Sequence, residues 1–125
     1  MENKKKILVV DDDNQVAEMF ISYLTLRDFD TKRVDNGENA LALALEYKPD
    51  LIMLDIMMPK INGFDVLDIL KNTELTAHIP IIMLSSLSSK DDIARAVNLG
   101  ADAYMEKSST DLESIAKKIQ ELLAN

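Results

Sequence analysis

The chain contains no cysteine and a single histidine, His78, among its 125 residues. Without thiols there can be no disulfide, cysteine nucleophile, iron–sulfur cluster or thiolate zinc site, and one imidazole cannot form a histidine cage. Any metal bound by this chain must therefore be held by oxygen ligands.

Glycine is also scarce, since the chain has only Gly37, Gly63 and Gly100. The G-x-G-x-x-G fingerprint of dinucleotide-binding folds and the G-x-x-x-x-G-K-[ST] phosphate loop both need closely spaced glycines, and neither occurs. Nucleotide binding by these loops is excluded.

Long apolar runs are missing too. No run approaches the roughly 18 residues that a membrane span requires. Only residues 7–10 are apolar between Lys6 and three aspartates, which is too short for a signal-peptide core. With 14 Lys and Arg against 22 Asp and Glu, the net charge of -8 disfavours direct nucleic-acid binding. These features predict a soluble cytoplasmic protein with no membrane partner.

The length of 125 residues predicts a single domain over residues 1–125, with no separate effector domain. Short runs at residues 7–10, 31–34, 51–54, 79–84 and 103–105, apolar except at 31–34, alternate with segments of helical periodicity. This alternation predicts five βα units and a parallel sheet. The polar run at 31–34 predicts an edge strand.

Each intervening segment has apolar residues three and four positions apart, which predicts a helix with one face on the sheet. Thr110 and Glu113 predict a capping box before the last helix, and Gly100 predicts a left-handed C-cap. The predicted core-facing residues are Val16, Met19, Phe20, Tyr23 and Leu24; Ala40, Leu41, Ala44 and Leu45; Val66, Leu67 and Leu70; Ile93, Ala96 and Val97; and Leu112, Ile115, Ala116, Ile119, Leu122 and Leu123.

Polar residues follow the ends of four predicted strands: aspartates at 11–13, Asp55, Ser85 and Lys107. Because the carboxyl ends of parallel strands share one edge, we expect these side chains to meet. Converging carboxylates repel one another, so they hold either protons or a cation, and Mg²⁺ fits an oxygen site of this kind. For any single aspartate, the alternative is that it only caps the next helix.

These residues belong to motifs that resemble the receiver domains of two-component response regulators. The motifs are ILVVDDD at 7–13, PDLIMLDIMMP at 49–59 with Gly63, Ser85, GADAY at 100–104 and Lys107. They agree with the family in order and spacing over almost the whole chain. The resemblance implies an α/β flavodoxin-like (βα)5 three-layer sandwich, with a five-stranded parallel sheet of order 2-1-3-4-5.

The resemblance implies a role for each acid. Asp55 matches the phosphoacceptor, which takes a phosphoryl group from a sensor histidine kinase or a phosphotransfer protein. Asp12 and Asp55 match direct Mg²⁺ ligands, with the backbone carbonyl of Met57, and Asp11 matches a ligand acting through water. Mn²⁺ is the alternative ion. Such a module catalyses its own phosphorylation and is not otherwise an enzyme.

Ser85 and Lys107 match the residues that hold the phosphoryl oxygens. Ser85 and Tyr104 match the switch pair, although Tyr104 would also suit a half-buried aromatic of a strand. The implied output face is residues 90–123, which would bind a downstream protein or a second copy of this chain.

The chain departs from the family at Lys107-Ser108, where receivers usually have proline after the lysine. A cis bond before a non-proline residue costs about 2.5 to 4 kcal/mol, so we predict a trans bond and a less tightly held Lys107. In the family, the positions two residues after the phosphoacceptor and two residues after the hydroxyl residue set the lifetime of the phosphoryl group. Here these positions are the apolar Met57 and Leu87, which cannot orient a water molecule, so we predict slow loss of the phosphoryl group.

Two alternatives remain open. A haloacid-dehalogenase-like phosphohydrolase would use Asp11 as nucleophile and Asp13 as acid, but it would need Thr or Val at Gln15 and a cap domain. A receiver used only as an unphosphorylated docking module would not require intact Asp55 and Lys107. Acyl phosphate labelling separates the alternatives, because the label would map to Asp55, to Asp11 or to no residue.

Overall fold

Five strands alternate with five helices in the computed structural model of the chain, which describes residues 4–86, 89–108 and 110–124. Within these ranges no helix combines the length and the apolar character needed to cross a membrane. In chain order the elements are β1 (Lys6–Val10), α1 (Asn14–Leu26), β2 (Asp30–Val34), α2 (Gly37–Tyr47), β3 (Leu51–Leu54), α3 (Gly63–Lys71), β4 (Ile81–Ser85), α4 (Lys90–Asn98), β5 (Ala103–Glu106) and α5 (Leu112–Ala124).

The strands form one parallel sheet in the order β2-β1-β3-β4-β5, which confirms the predicted fold. The polar strand β2 lies at one edge, as its sequence predicted. Since all five strands run the same way, their carboxyl ends meet at one edge of the sheet.

Both faces of the sheet are covered, so the strands have apolar residues at successive positions. In β1, Leu8 and Val10 belong to the core beneath α2, α3 and α4, whereas Ile7 and Val9 belong to the core beneath α1 and α5. This division follows from the alternation of side chains along a strand.

Strand β4 is shorter than the predicted run at 79–84. It begins at Ile81, because Pro80 has no N–H to donate to the ladder. The Pro80 carbonyl still accepts a hydrogen bond from the Ile52 amide at 3.0 Å. Ile79 is buried just before the strand.

Four predicted core positions of the helices are instead exposed: Met19, Leu45, Ile93 and Val97. Met19 lies about 100° around α1 from the buried Phe20, outside the face formed by Ala17, Phe20 and Leu24. In α4, Ala96 is the only buried residue, because this helix packs beside the edge strand β5 with one narrow face. The apolar period located the helices but overestimated the width of their buried faces.

The start of α5 also differs from the prediction. The Asp111 carboxylate accepts a hydrogen bond from the Ser114 amide at 2.7 Å, so Asp111 is the cap and the predicted Thr110 and Glu113 capping box is wrong. An aspartate immediately before the first helical residue competes effectively for this position.

Two predictions about the backbone are confirmed. Gly100 has φ of 104° and ends α4, and the amide of the next residue, Ala101, donates to the Ala96 carbonyl at 3.0 Å. The Lys107-Ser108 bond is trans, since the described part of the chain contains no cis peptide bond. The looseness of Lys107 stays a prediction.

Candidate functional site

The polar residues at the carboxyl edge of the sheet are fixed through their backbones. The Asp11 amide donates to the Val34 carbonyl at 3.1 Å, and the Asp55 amide donates to the Val10 carbonyl at 2.9 Å. The Lys107 amide donates to the Ser85 carbonyl at 2.9 Å. Each bond continues a ladder of the sheet beyond the strand, so the sheet itself sets where these side chains begin.

The predicted acid cluster is present. Oxygen atoms from Asp11, Asp12 and Asp55 lie within 4.8 Å of one another. Asp11 is 2% exposed and Asp55 is 5% exposed, whereas Asp12 faces solvent. A cluster of two buried carboxylates and one solvent-exposed carboxylate suits a hard, oxygen-binding cation that retains water ligands.

Lys107 joins the two buried acids. Its Nζ lies 2.7 Å from Asp11 Oδ2 and 3.4 Å from Asp55 Oδ2. Burial lowers the pKa of Lys107, but the hydrogen bond that it donates to Asp11 and the charge of Asp55 outweigh this effect, so the pKa is raised. The site therefore holds a permanent cation beside the acids.

The pKa of Asp55 departs from the ordinary value of an aspartate. Burial raises the pKa of Asp55 to about 6, assisted by the charges of Asp11 and Asp12 and opposed by Lys107. A carboxylate held in this way is poorly solvated, and a further positive charge in the cluster favours its ionised form.

Asp13 does not join the cluster. Its carboxylate caps α1 by accepting from the amides of Gln15 and Val16 at 3.0 and 3.2 Å. The Asp11 and Asp13 pair that a phosphohydrolase would need is therefore not assembled around a common substrate position. Of the three consecutive aspartates at 11–13, Asp13 therefore has the ordinary capping role of an aspartate that follows a strand.

Sequence reasoning missed Arg33. Its Nε and Nη2 donate to the Asp11 carbonyl oxygen at 3.2 and 2.9 Å. The sequence shows Arg33 only as part of the polar run at 31–34, whereas in the structure β2 pairs with β1 and the register sets Arg33 beside Val9, two residues before Asp11. Because polar residues are expected in an edge strand, this pattern gave no reason to single out Arg33.

The predicted switch residues lie on the paired strands β4 and β5. Ser85 is fully buried at the end of β4, and Tyr104 is partly buried on β5, packed against the core. Burial raises the pKa of Tyr104, whereas a side-chain hydrogen bond with Ser85 lowers it. These two side chains are therefore neighbours.

Met57, the flanking residue two positions after Asp55, lies at the protein surface. The Met57 side chain is 59% exposed and lines a groove with Asp12 and Arg95. Leu87 lies outside the described residues.

A family model for the response regulator receiver domain matches residues 7–120 of the chain. The chain is 36% identical over 118 residues to the DNA-binding dual master transcriptional regulator RpaA of Synechocystis sp. and 37% identical over 114 residues to the DNA-binding response regulator MtrA of Mycolicibacterium smegmatis. These alignments cover 94% and 91% of this chain but 48% and 49% of the relatives, so the chain spans about half the length of the curated relatives it matches.

Solved structures agree with the family model. The BeF3-activated N-terminal receiver domain of RstA from Klebsiella pneumoniae superposes with a TM-score of 0.89 at 29% identity, covering 97% of this chain and 100% of that one. A CheY-like receiver domain protein from Methanospirillum hungatei gives 0.91 at 25% identity, covering 98% and 95%. The resemblance read from the motifs is confirmed, and the chain belongs to the response regulator receiver domains, the phosphoacceptor modules of two-component signalling.

Proposed function

We propose that this receiver, acting as one domain over residues 1–125, is a cytoplasmic module that accepts a phosphoryl group on Asp55. The donor is a sensor histidine kinase or a phosphotransfer protein. The supporting observation is that three carboxylates and the Lys107 ammonium converge at the carboxyl edge of the sheet, with Lys107 3.4 Å from Asp55. An aspartate carboxylate can attack phosphorus to form an acyl phosphate.

The acid cluster fits Mg²⁺ because every available side-chain ligand is a carboxylate oxygen. Asp12 and Asp55 would hold the ion directly with the backbone carbonyl of Met57, and Asp11 would hold it through water. Mn²⁺ suits the same ligands. When bound, the ion supplies positive charge where negative charge develops on the phosphoryl oxygens.

The protein groups have distinct tasks in the transfer. A carboxylate oxygen of Asp55 forms the new bond to phosphorus, while the bond from phosphorus to the donor nitrogen breaks and the donor imidazole keeps the electron pair. Because the transition state is loose, alignment and charge neutralisation matter most. Lys107 neutralises one phosphoryl oxygen, and the Ser85 hydroxyl donates a hydrogen bond to another.

The output belongs to the face formed by α4, β5 and α5, residues 90–123. A phosphoryl group brings about two negative charges and new acceptors, which bias Ser85 and Tyr104 toward a second arrangement. On α4, Ile93 is 38% exposed and Val97 is 59% exposed, so this face offers apolar surface to a downstream protein or to a second copy of the chain.

Labelling with a small acyl phosphate and Mg²⁺ tests the proposal. We expect wild type to gain the mass of one phosphoryl group on Asp55, and Asp55→Asn to gain none. Asp65→Asn is the matched control, because it removes an exposed carboxylate of α3 and should label as wild type does. A label on Asp11 with turnover would support the phosphohydrolase, and no label would support the docking module.

The same sample reports the lifetime of the phosphoryl group. The exposed, apolar Met57 side chain cannot orient an attacking water molecule, so we expect the label to persist well beyond seconds after the donor is removed. Loss of the label within seconds would contradict this part of the proposal.

A further inference from the structure

Arg33 makes an unusual contact for a residue of an edge strand. From β2 its half-buried side chain reaches the loop after β1, where Nε and Nη2 donate to the Asp11 carbonyl oxygen at 3.2 and 2.9 Å. That oxygen belongs to the peptide that joins Asp11 to Asp12. A planar guanidinium with two donors on one acceptor restricts the orientation of this peptide more than a single donor would.

The remaining hydrogen-bonding atoms of Asp11 are also occupied. Its amide donates to the Val34 carbonyl at 3.1 Å, its Oδ1 accepts from the Asp13 amide at 3.0 Å, and its Oδ2 faces Lys107 at 2.7 Å. These three contacts fix Asp11 itself. The Arg33 contact fixes the following peptide, which sets the direction in which the exposed Asp12 leaves the loop.

We propose that Arg33 is a positioning residue for the acid cluster: by fixing the peptide between Asp11 and Asp12, it holds the Asp12 carboxylate where it can share a divalent cation with Asp55. This inference rests on the proposed function. Arg33 does not contact the phosphoryl group, and it acts through the backbone. Groups that orient metal ligands in this way typically change metal affinity about 10- to 100-fold when they are removed.

Positioning and simple electrostatics predict opposite results. Arg33 is a cation near a cation-binding site, so its charge alone opposes Mg²⁺ binding, and its removal would tighten binding. If Arg33 instead positions the acids, its removal weakens binding. The sign of the change in Mg²⁺ affinity therefore separates the two effects.

The experiment measures the Mg²⁺ dissociation constant of the full chain by NMR titration of backbone amides. We expect Arg33→Met to raise it about tenfold, and Arg33→Lys, which keeps the charge but has no planar fork, to raise it about threefold. Lys32→Met is the matched control, because it removes the same charge from the neighbouring exposed position of β2. It should leave the constant within about twofold of wild type.

A second measurement follows the contact itself. Loss of the hydrogen bonds should move the carbonyl ¹³C resonance of Asp11 upfield in Arg33→Met but not in Lys32→Met. If Arg33→Met does not fold, Arg33→Lys alone decides, since its fold can be checked by the same spectra and its Mg²⁺ constant must rise.

The outcomes are distinguishable. An unchanged or lower Mg²⁺ dissociation constant in a folded Arg33→Met overturns the positioning role while leaving the proposed function intact. A wild-type chain that binds no Mg²⁺ and takes no label on Asp55 overturns both. A weakened affinity that appears equally in Lys32→Met would reflect a general disturbance of β2, since loss of a positive charge alone would tighten binding, and it would also overturn the inference.

Discussion

Asp55 has two opposed requirements at the scale of a single residue. It is 5% exposed, which would shield an acyl phosphate from water, yet in the proposed transfer it must be ionised to act as a nucleophile. Burial raises its pKa to about 6, and the nearby Lys107 opposes the rise. A divalent cation in the cluster would favour the ionised form further.

This conflict predicts how stability depends on pH when no divalent cation is bound. The pKa of Asp55 rises from 3.8 to about 6 on folding, so the folded state binds the proton more tightly. The resulting stabilisation is fully present below pH 3.8 and is lost as the pH rises through about 6. With a chelator present at pH 7.5, the free energy of unfolding measured in urea should be about 1 to 3 kcal/mol larger for Asp55→Asn than for wild type.

The same comparison has two internal controls. At pH 4 most of the difference should disappear, because wild-type Asp55 is then protonated in the folded state. Added Mg²⁺ at pH 7.5 should stabilise wild type more than Asp55→Asn, because a ligand stabilises the state that binds it. If wild type and Asp55→Asn had equal free energies of unfolding at both pH values with a chelator present, the raised pKa of Asp55 would be contradicted.

At the scale of an element, the start of α3 supports the loop that carries Asp55. The Gly63 amide donates to the Ile56 carbonyl at 2.7 Å. A Cβ at Gly63 would lie 2.2 Å from the Asp55 carbonyl oxygen and 2.7 Å from Ile56 Cα. The helix can approach this closely only because the residue has no side chain, so glycine here is required by backbone contact.

We therefore expect Gly63→Ala to be strongly destabilising. The added methyl must displace the backbone of Asp55 and Ile56, at a cost of about 2 to 4 kcal/mol in chemical unfolding. Gly37→Ala is the matched control, because Gly37 also begins a helix and its nearest clash, at 2.7 Å, is with a side-chain methyl of Val66 and not with backbone. The two substitutions should differ by more than about 1 kcal/mol, and similar costs would contradict the argument from backbone contact.

At the scale of the whole molecule, Lys71 connects parts of the chain that are distant in sequence. From the end of α3, its Nζ lies 2.8 Å from the Ile79 carbonyl oxygen and 3.1 Å from Asp102 Oδ2. The same Asp102 oxygen accepts from the Ile81 amide at 2.8 Å. One partly buried ammonium thus links α3, the loop before β4 and the start of β5, so several elements lose a contact together if it is removed.

This arrangement predicts that Lys71 and Asp102 are energetically coupled. A double-mutant cycle with Lys71→Met and Asp102→Asn should give about 1 kcal/mol of coupling in unfolding experiments. Lys118 and Glu121 form the control pair, since their atoms are also 3.1 Å apart but their side chains are 40% and 65% exposed. That pair should give less than about 0.5 kcal/mol, because water screens it. Equal coupling in the two pairs would contradict the prediction.

Most of the architecture could be predicted from local patterns. Runs of strand length, apolar in all but β2, located every strand, and the carboxyl-edge rule predicted that Asp55 and Lys107 meet. Exposed positions such as Val97 could not be predicted, because periodicity marks the apolar side of a helix and does not show how much of it a neighbour covers. The cap at Asp111 depended on a competition between adjacent polar residues, which the sequence pattern left undecided.

The sequence by itself determined the sheet order, through motifs shared with a known family, and it determined which residue types reach the carboxyl edge. Only the tertiary structure decided that Asp13 caps a helix while Asp11 and Asp12 face Asp55, and that Arg33 reaches the peptide between those two acids. The physical reason is that side-chain direction in a loop is set by contacts from residues far away in the chain. Those contacts exist only after the strands have paired.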